Sequence, residues 1–282
     1  MIFSPEKKKR TKFSHRIPSW EKVSGYSGRN LVHNGKYLEV VKYSIPAPDT
    51  ALTGKKIVFF SDLHWTGGTN REKHILREAA AFITTFQPDI IISGGDLISY
   101  TSRIKSGIDV LKSLPAAETR LAVTGNWERY KKWIPALRWK EYYAEGGYNL
   151  LINQMYSAGP FCFYGIDDIK SGNPEMNADF SGKYNTLLAH SPDTAVFAGR
   201  GDVLKKINLI LCGHTHAGQI RLPVIGALAT SSRYRRKFDY GLFTHSKTGT
   251  RMIVSSGIGM SCVPFRLFCR PEIVFIEFVN AI

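Results

Sequence analysis

Thiols and acids are both scarce in this chain of 282 residues. Its four cysteines, Cys162, Cys212, Cys262 and Cys269, show no C-x-x-C spacing. That leaves no sequence basis for a disulfide scaffold or a thiolate zinc site, and the thiols are expected to be reduced, in a cytoplasmic setting. No apolar run approaches the ~20 residues of a spanning helix, so an integral membrane protein is not expected. The first residues are basic without an apolar block behind them, which does not match a secretory signal. The shortage of acids is the more informative deficit: 23 Asp and Glu face 38 Lys and Arg, a net charge of +15. A surplus of that size favours anionic partners, whether phosphorylated substrates, lipid headgroups or nucleic acid. No groove-reading element or recognisable nucleic-acid module accompanies it, so nucleic acid is the least expected of the three.

Against that background, polar residues recur at the ends of apolar, strand-like runs. Asp62-Leu63-His64 follows KIVFF, Gly95-Asp96 follows DIIIS, and Gly125-Asn126 follows RLAVT. His190 follows NTLLA, and Gly213-His214-Thr215-His216 follows INLILC. One His or Asp at a strand end is ordinarily a cap or turn residue; five such clusters on successive strands ask for a metal centre. Four imidazoles, two carboxylates and an amide oxygen suit divalent ions such as Mn²⁺, Fe²⁺ or Zn²⁺. They exceed the about four ligands of a structural zinc and suit two ions sharing a carboxylate. Asp62 and His64 are expected to project together from an extended strand end, as residues i and i+2. Gly95, Gly125 and Gly213 are expected to supply tight backbone turns beside the ligands.

Residues 37–282 read as one α/β domain, preceded by a basic extension over 1–36. The extension carries Lys7, Lys8, Lys9, Arg10, Lys12, Arg16 and Lys22 with Phe3, Phe13 and Trp20 among them, a pattern suited either to a solvated tail or to an anionic membrane surface. In the domain, LEVVKYS and KIVFFSD predict two strands around Pro46 and Pro48. Residues 71–86 predict a helix with Ile75, Ala79, Phe82 and Phe86 on one face, and 103–114 and 193–205 predict two more. Strands dominate thereafter, and the whole fits two packed sheets flanked by helices. Residues 127–143 interleave three tryptophans and three tyrosines with Lys and Arg. A helix starting at Pro135 and stopping at Gly146-Gly147 is predicted there, with Trp133, Leu137 and Ala144 sharing a face. It serves either as a core-packing helix or as a cationic aromatic lid beginning at Asn126. The apolar segment 260–268 is either a buried loop or part of an acyl-chain groove. Arg233, Arg235, Arg236 and Lys237 either face water or meet a nucleotide's phosphates.

The order D-x-H, G-D, G-N, H, G-H-x-H, with LLAHSPD at 187–193, LCGHTHAGQIRLPVIG at 211–226 and CRPEIVFIE at 269–277, resembles the calcineurin-like metallophosphoesterases. The likeness is closest to their small bacterial phosphodiesterases. It implies a four-layer αββα sandwich of two mixed sheets with the ligands at strand C-termini. It implies that Asp62, His64, Asp96 and His216 hold one ion, and that Asp96, Asn126, His190 and His214 hold a second, Mn²⁺ being the expected metal. The implied reaction is hydrolysis of a phosphate ester or anhydride by water activated between the ions.

One position departs from the family pattern. Where His usually follows the G-N, and is taken to act near the leaving group, this chain has Trp127, whose indole does not titrate. General acid help is typically worth ~10²–10⁴-fold, so its loss favours good leaving groups, such as a nucleotide departing from a pyrophosphate. A form of UDP-2,3-diacylglucosamine pyrophosphatase, an enzyme of lipid A synthesis, belongs to the same subgroup, and replacement of that His resembles what some of these enzymes show. The expected substrate is therefore UDP-2,3-diacylglucosamine, cleaved to UMP and 2,3-diacylglucosamine 1-phosphate at the inner face of the cytoplasmic membrane. Trp127, Arg233, Arg235 and Phe265 are expected to contact it. The alternatives are a broad-specificity phosphodiesterase and a metal-bound scaffold without activity.

Overall fold

A computed structural model describes residues 19–26, 29–130 and 133–280. In the strand Lys56–Phe60, Ile57 and Phe59 enter one apolar cluster while Val58 and Phe60 enter another. That two-residue alternation marks a strand covered on both faces. Ile90–Ser93 and Thr119–Val123 repeat it, with Ile91 and Ala122 on one side and Ile92 and Leu121 on the other.

The first sheet has seven strands, in the order Arg29–Asn34, Glu39–Pro46, Glu272–Val279, Lys56–Phe60, Ile90–Ser93, Thr119–Val123, Asn149–Leu151. Its last four are parallel. The second sheet also has seven, ordered Trp20–Lys22, Gly241–His245, Arg251–Val254, Leu209–Cys212, Tyr184–Ala189, Phe161–Ile166, Gln154–Ala158. Its four middle strands from Arg251–Val254 to Phe161–Ile166 are parallel.

Between the sheets, Phe59, Ile92 and Leu121 meet Phe163, Leu188 and Leu211. The far face of the first sheet is covered by the helices Asn70–Phe86, Ile104–Ser113 and Ala136–Glu145 through Ile75, Ile83, Leu111, Trp139 and Tyr143. The far face of the second is covered by Pro192–Ala198 and the 3₁₀ helix Gly201–Lys206. The layers therefore run α, β, β, α, as the sequence led us to expect. The parallel strands of both sheets end along one edge, where side chains from several strands can converge. All four cysteines are unpaired, and no helix among the described residues is long and apolar enough to cross a membrane.

Several local expectations change. The basic cluster at residues 7–16 lies outside the described residues, but the extension's Trp20 and Lys22 are built into the second sheet. Trp20 is buried, and Lys22 donates to Asp239 at 2.6 Å. Arg29–Asn34 likewise pairs with Glu39–Pro46. The helix read over 193–205 is two pieces, broken around Gly199-Arg200-Gly201, where Gly201 adopts φ +71°. In the helix Ala136–Glu145, Trp139 (0% exposed) and Tyr143 form the buried face, whereas Leu137 is 67% exposed and Trp133, which precedes the helix, is 70% exposed. The i, i+4 pair Trp139–Tyr143 takes the core side in place of the expected Trp133–Leu137–Ala144 stripe.

Candidate metal centre

Side chains from both sheets meet at the shared strand-end edge in two groups. Asp62, His64 and His216 form one, and Asp96, His190 and His214 the other; within each, potential ligand atoms lie within 4.8 Å of one another, and all six residues are buried. His216 Nε2 is 3.2 Å from His64 Nε2 and 3.4 Å from Asp62 Oδ1. His190 Nε2 is 3.1 Å from His214 Nδ1 and 3.3 Å from Asn126 Oδ1, which brings the amide into the second group. Asp96 Oδ2 sits between the groups, 3.5 Å from His64 Nε2 and 3.2 Å from His190 Nε2. All seven predicted ligands are thus brought together, with Asp96 at the junction.

The local backbone differs from the expected extended strand ends. Asp62, His64, Asp96, His214 and His216 all adopt φ between +45° and +71°. Side chains other than Gly rarely occupy this left-handed region, and such strain gathers at functional sites. Asp62 and His64 reach the centre from a left-handed turn beyond Phe60, not from one edge of a strand. Of the three glycines, only Gly95 has a positive φ, +91°. Gly125 and Gly213 are needed for close approach: a Cβ on Gly125 would collide with Asp96 Oδ1, and one on Gly213 with Ser61 Oγ and Asp62 Oδ2.

Each carboxylate has one oxygen tied and one aimed at imidazoles. Asp62 Oδ2 accepts from Ser61 Oγ at 2.5 Å and from the His214 N–H at 2.9 Å, while buried Oδ1 has no hydrogen-bond partner. Asp96 Oδ1 accepts from the Trp127 N–H at 2.8 Å. His190 Nδ1 lies 2.8 Å from the Gly94 carbonyl, which can only accept, so Nδ1 carries the hydrogen and Nε2 is available as a ligand. Arg266 Nη2 approaches His216 Nδ1 at 3.2 Å and also donates to the Ser256 carbonyl.

Electrostatics follow the same geometry. Burial pushes Asp96 up, but the imidazoles of His190, His64 and His214 outweigh it and hold its carboxyl below the ordinary range. Burial pulls His190 down, yet Asp96 and Asp62 raise it well above a normal imidazole. His214 is pushed down to about 3 by burial and by His190, and His216 is driven well below normal by burial, His64 and Arg266. An orphaned, fully buried carboxylate oxygen among imidazole nitrogens is a donor set that fits cations. Four imidazoles, two carboxylates and an amide oxygen fit a pair of divalent ions.

Glu128, a residue the sequence motifs do not single out, clamps this site. Its buried carboxylate accepts from the backbone N–H groups of Asp96 (3.0 Å), Leu97 (2.7 Å) and Gly125 (2.8 Å), and from Tyr143 Oη at 3.4 Å. Burial and the Asp96 charge push its pKa up to about 7. A Glu three residues after Gly125, at the start of a helix, is a capping signal readable in sequence. Arg129, the next residue, is engaged by Asp167 at 2.9 Å.

A cavity of about 650 Å³ opens over the second group; Trp127, Tyr130 and Lys170 stand in its wall. The Trp127 ring meets His64 edge-on, with centroids 5.4 Å apart. Of the expected substrate contacts, Trp127 lines this cavity; Arg233, Arg235 and Phe265 do not. Lys170 is the basic residue that does, and nothing in its sequence context signals it.

Residues 55–218 match the family profile described as calcineurin-like phosphoesterase. The chain is 31% identical to the uncharacterized metallophosphoesterase YkuE of Bacillus subtilis, over 78% of this chain and 77% of that protein. It is 30% identical to phosphodiesterase YaeI of Escherichia coli, over 79% and 82% of the two chains. A solved dimetal phosphatase from Danio rerio aligns over 73% of this chain and 88% of its own, with 11% identity and a TM-score of 0.46.

Proposed function

Because the chain belongs to the calcineurin-like phosphoesterase family, and is therefore a metal-dependent phosphoesterase, we propose that it hydrolyses a phosphodiester or phosphoanhydride at the seven-ligand centre. The observation that carries this reading is Asp96 Oδ2, set between the two imidazole groups. Two divalent ions bound there supply Lewis-acid activation of water and neutralise charge on the phosphoryl oxygens, Mn²⁺ being the ion we favour. The protein's own part is positional. Ser61 and the His214 amide orient Asp62, the Trp127 amide orients Asp96, and Glu128 fixes the turns that carry Asp96 and Asn126. Lys170 brings positive charge to the cavity wall.

For the substrate we propose UDP-2,3-diacylglucosamine, with water adding to phosphorus, the P–O–P bridge breaking, and UMP and 2,3-diacylglucosamine 1-phosphate leaving. Three features support it. Trp127 offers no acid where the leaving group would need one, which suits a leaving phosphate. The hairpin joining Arg221–Leu222 to Gly226–Ala227 exposes Val224 and Ile225. The 3.0 Å hydrogen bond from the Leu267 N–H to the Gln219 carbonyl ties that hairpin to a segment exposing Phe265, Leu267 and Phe268. An apolar rim on a chain of charge +15 suits apposition to an anionic membrane, where a lipid-linked substrate resides.

³¹P NMR of the Mn²⁺-loaded protein with UDP-2,3-diacylglucosamine tests the assignment. UMP and a lipid phosphomonoester should appear together. Hydrolysis of bis-p-nitrophenyl phosphate without cleavage of the glycolipid would favour a broader phosphodiesterase, the reading that likeness to YaeI supports. Cleavage of neither by fully loaded protein would favour a non-catalytic scaffold.

A further inference from the structure

A second cavity, of about 550 Å³, lies on the other side of Trp127. His64 and Trp127 are in its wall, and Trp127, Ser261, Cys262 and Val263 line both spaces, so they form a partition at the metal centre. The rest of the lining is largely apolar: Leu63, Ile75, Tyr100, Ile258, Met260 and Pro264. Its polar groups are mostly committed already. The Glu72 carboxylate accepts from the N–H groups of Thr66, Gly68 and Thr69 at 2.7–3.1 Å, and Ser99 Oγ donates to the His64 carbonyl at 3.0 Å. Arg71 is the only Lys or Arg in the wall, whereas Lys170 lines only the first cavity.

We propose that this chamber is the second arm of the active site and takes one alkyl or acyl chain of the substrate. The inference rests on the phosphoester-hydrolase reading and adds to it. A diester or anhydride carries two substituents on its phosphate bridge, and the partition gives each a separate space. The space with Lys170 suits the polar, anionic arm. Apart from Arg71 and the Tyr100 hydroxyl, the chamber's hydrogen-bonding groups are spent on the protein, so most of its wall rewards apolar surface. Its continuity with His64 and Trp127 places a tail within reach of the same phosphorus. Trp127 then has a structural use beyond the lost acid: it walls one arm from the other.

The test is calorimetric titration of the Mn²⁺-loaded protein with n-alkyl phosphates from butyl to dodecyl. Affinity should rise about fourfold per methylene until the chamber is full. Met260→Trp, and independently Pro264→Trp should the first variant fold poorly, should flatten that rise. Ile220→Trp, which crowds the first cavity, should leave the slope in place. A flat dependence in the parent protein overturns the proposal. So does a slope that survives both chamber variants, or one that Ile220→Trp abolishes. Turnover of bis-p-nitrophenyl phosphate, measured in parallel, separates the two readings: an active protein with a flat dependence loses the chamber and keeps the hydrolase.

Discussion

At the floor, the metal centre that both cavities adjoin, every candidate ligand among His64, His190, His214, His216, Asp62 and Asp96 is buried, and five of these six take left-handed backbone conformations. At the rim, Val224, Ile225, Phe265 and Phe268 stand exposed on connections between strands. The floor is over-determined: backbone amides, Glu128 and glycine-sized gaps each fix a side chain that would not otherwise hold that geometry. The rim is under-determined, apolar surface that nothing among the described residues covers. The difference separates two kinds of information. The floor specifies a reaction and tolerates little change, while the rim and the cavity walls specify what is brought to it.

The sharpest way to break the floor is Asp96→Asn, which keeps the shape and removes the charge shared by both groups. Turnover of a phosphodiester should fall by roughly 10³-fold or more, beyond the ~10²–10³ usual for one electrostatic stabiliser, and elemental analysis should find one bound ion instead of two. Unchanged metal content would show that Asp96 does not bridge. Next in size, chelation should destabilise the whole fold, because each ligand group draws on both sheets. At a thousandfold excess over Kd an ion adds about 4 kcal/mol. Its removal should lower the Tm by roughly 8–16 °C, and an unchanged melting curve would contradict a cation between the sheets.

Metal affinity should also depend on pH with a definite sign. Burial lowers His190, but Asp96 and Asp62 hold it well above a normal imidazole, so near neutrality it carries a proton that ligation must displace. Affinity is therefore expected to fall as pH drops. Titration in buffers of differing ionisation enthalpy should record proton release at pH 7.

What the sequence makes legible follows the same division. The ligands announced themselves because polar residues at the ends of KIVFF, DIIIS and INLILC break a buried pattern, and the αββα layering followed from strands and helices in alternation. The backbone at those residues was not legible, since nothing in Asp62-Leu63-His64 marks a left-handed turn. At Gly125 and Gly213 the sequence suggests a tight turn, whereas the structure requires a close approach. In sequence Glu128 is one more charge; its three amide partners give it a place. Trp133 and Trp139 have similar surroundings in sequence, and only packing against Leu111 and Ile108 decides which is buried. The walls are assembled from residues far apart in the chain, such as Lys170 with Trp127, or Met260 with Ile75, and no local pattern joins them.

Trp127→His reconnects wall to floor. If the indole's cost is loss of a proton donor, the histidine should raise turnover of alkyl phosphate monoesters by about 10²-fold, the low end for general acid help. Turnover of a pyrophosphate substrate, whose leaving group needs no proton, should change little. Equal gains on both would mean that Trp127 acts by shape alone.

The smallest expected effect belongs to the rim. Fully burying a Val or Ile side chain is worth about 1.5–3 kcal/mol, and a hairpin tip entering a lipid headgroup region gains roughly half of that. Val224→Ser with Ile225→Ser should therefore weaken sedimentation with anionic vesicles by about 10- to 100-fold. The tip lies outside the lining of both cavities, so metal content and a soluble-diester assay report whether the centre itself is intact. Salt discriminates between the two contributions to adsorption. Attraction of the basic surface weakens steeply with ionic strength, whereas insertion of Val224 and Ile225 does not. The double substitution should thus matter most at high salt, where charge is screened. If it mattered only at low salt, the tip would be acting through its basic neighbours and not by entering lipid.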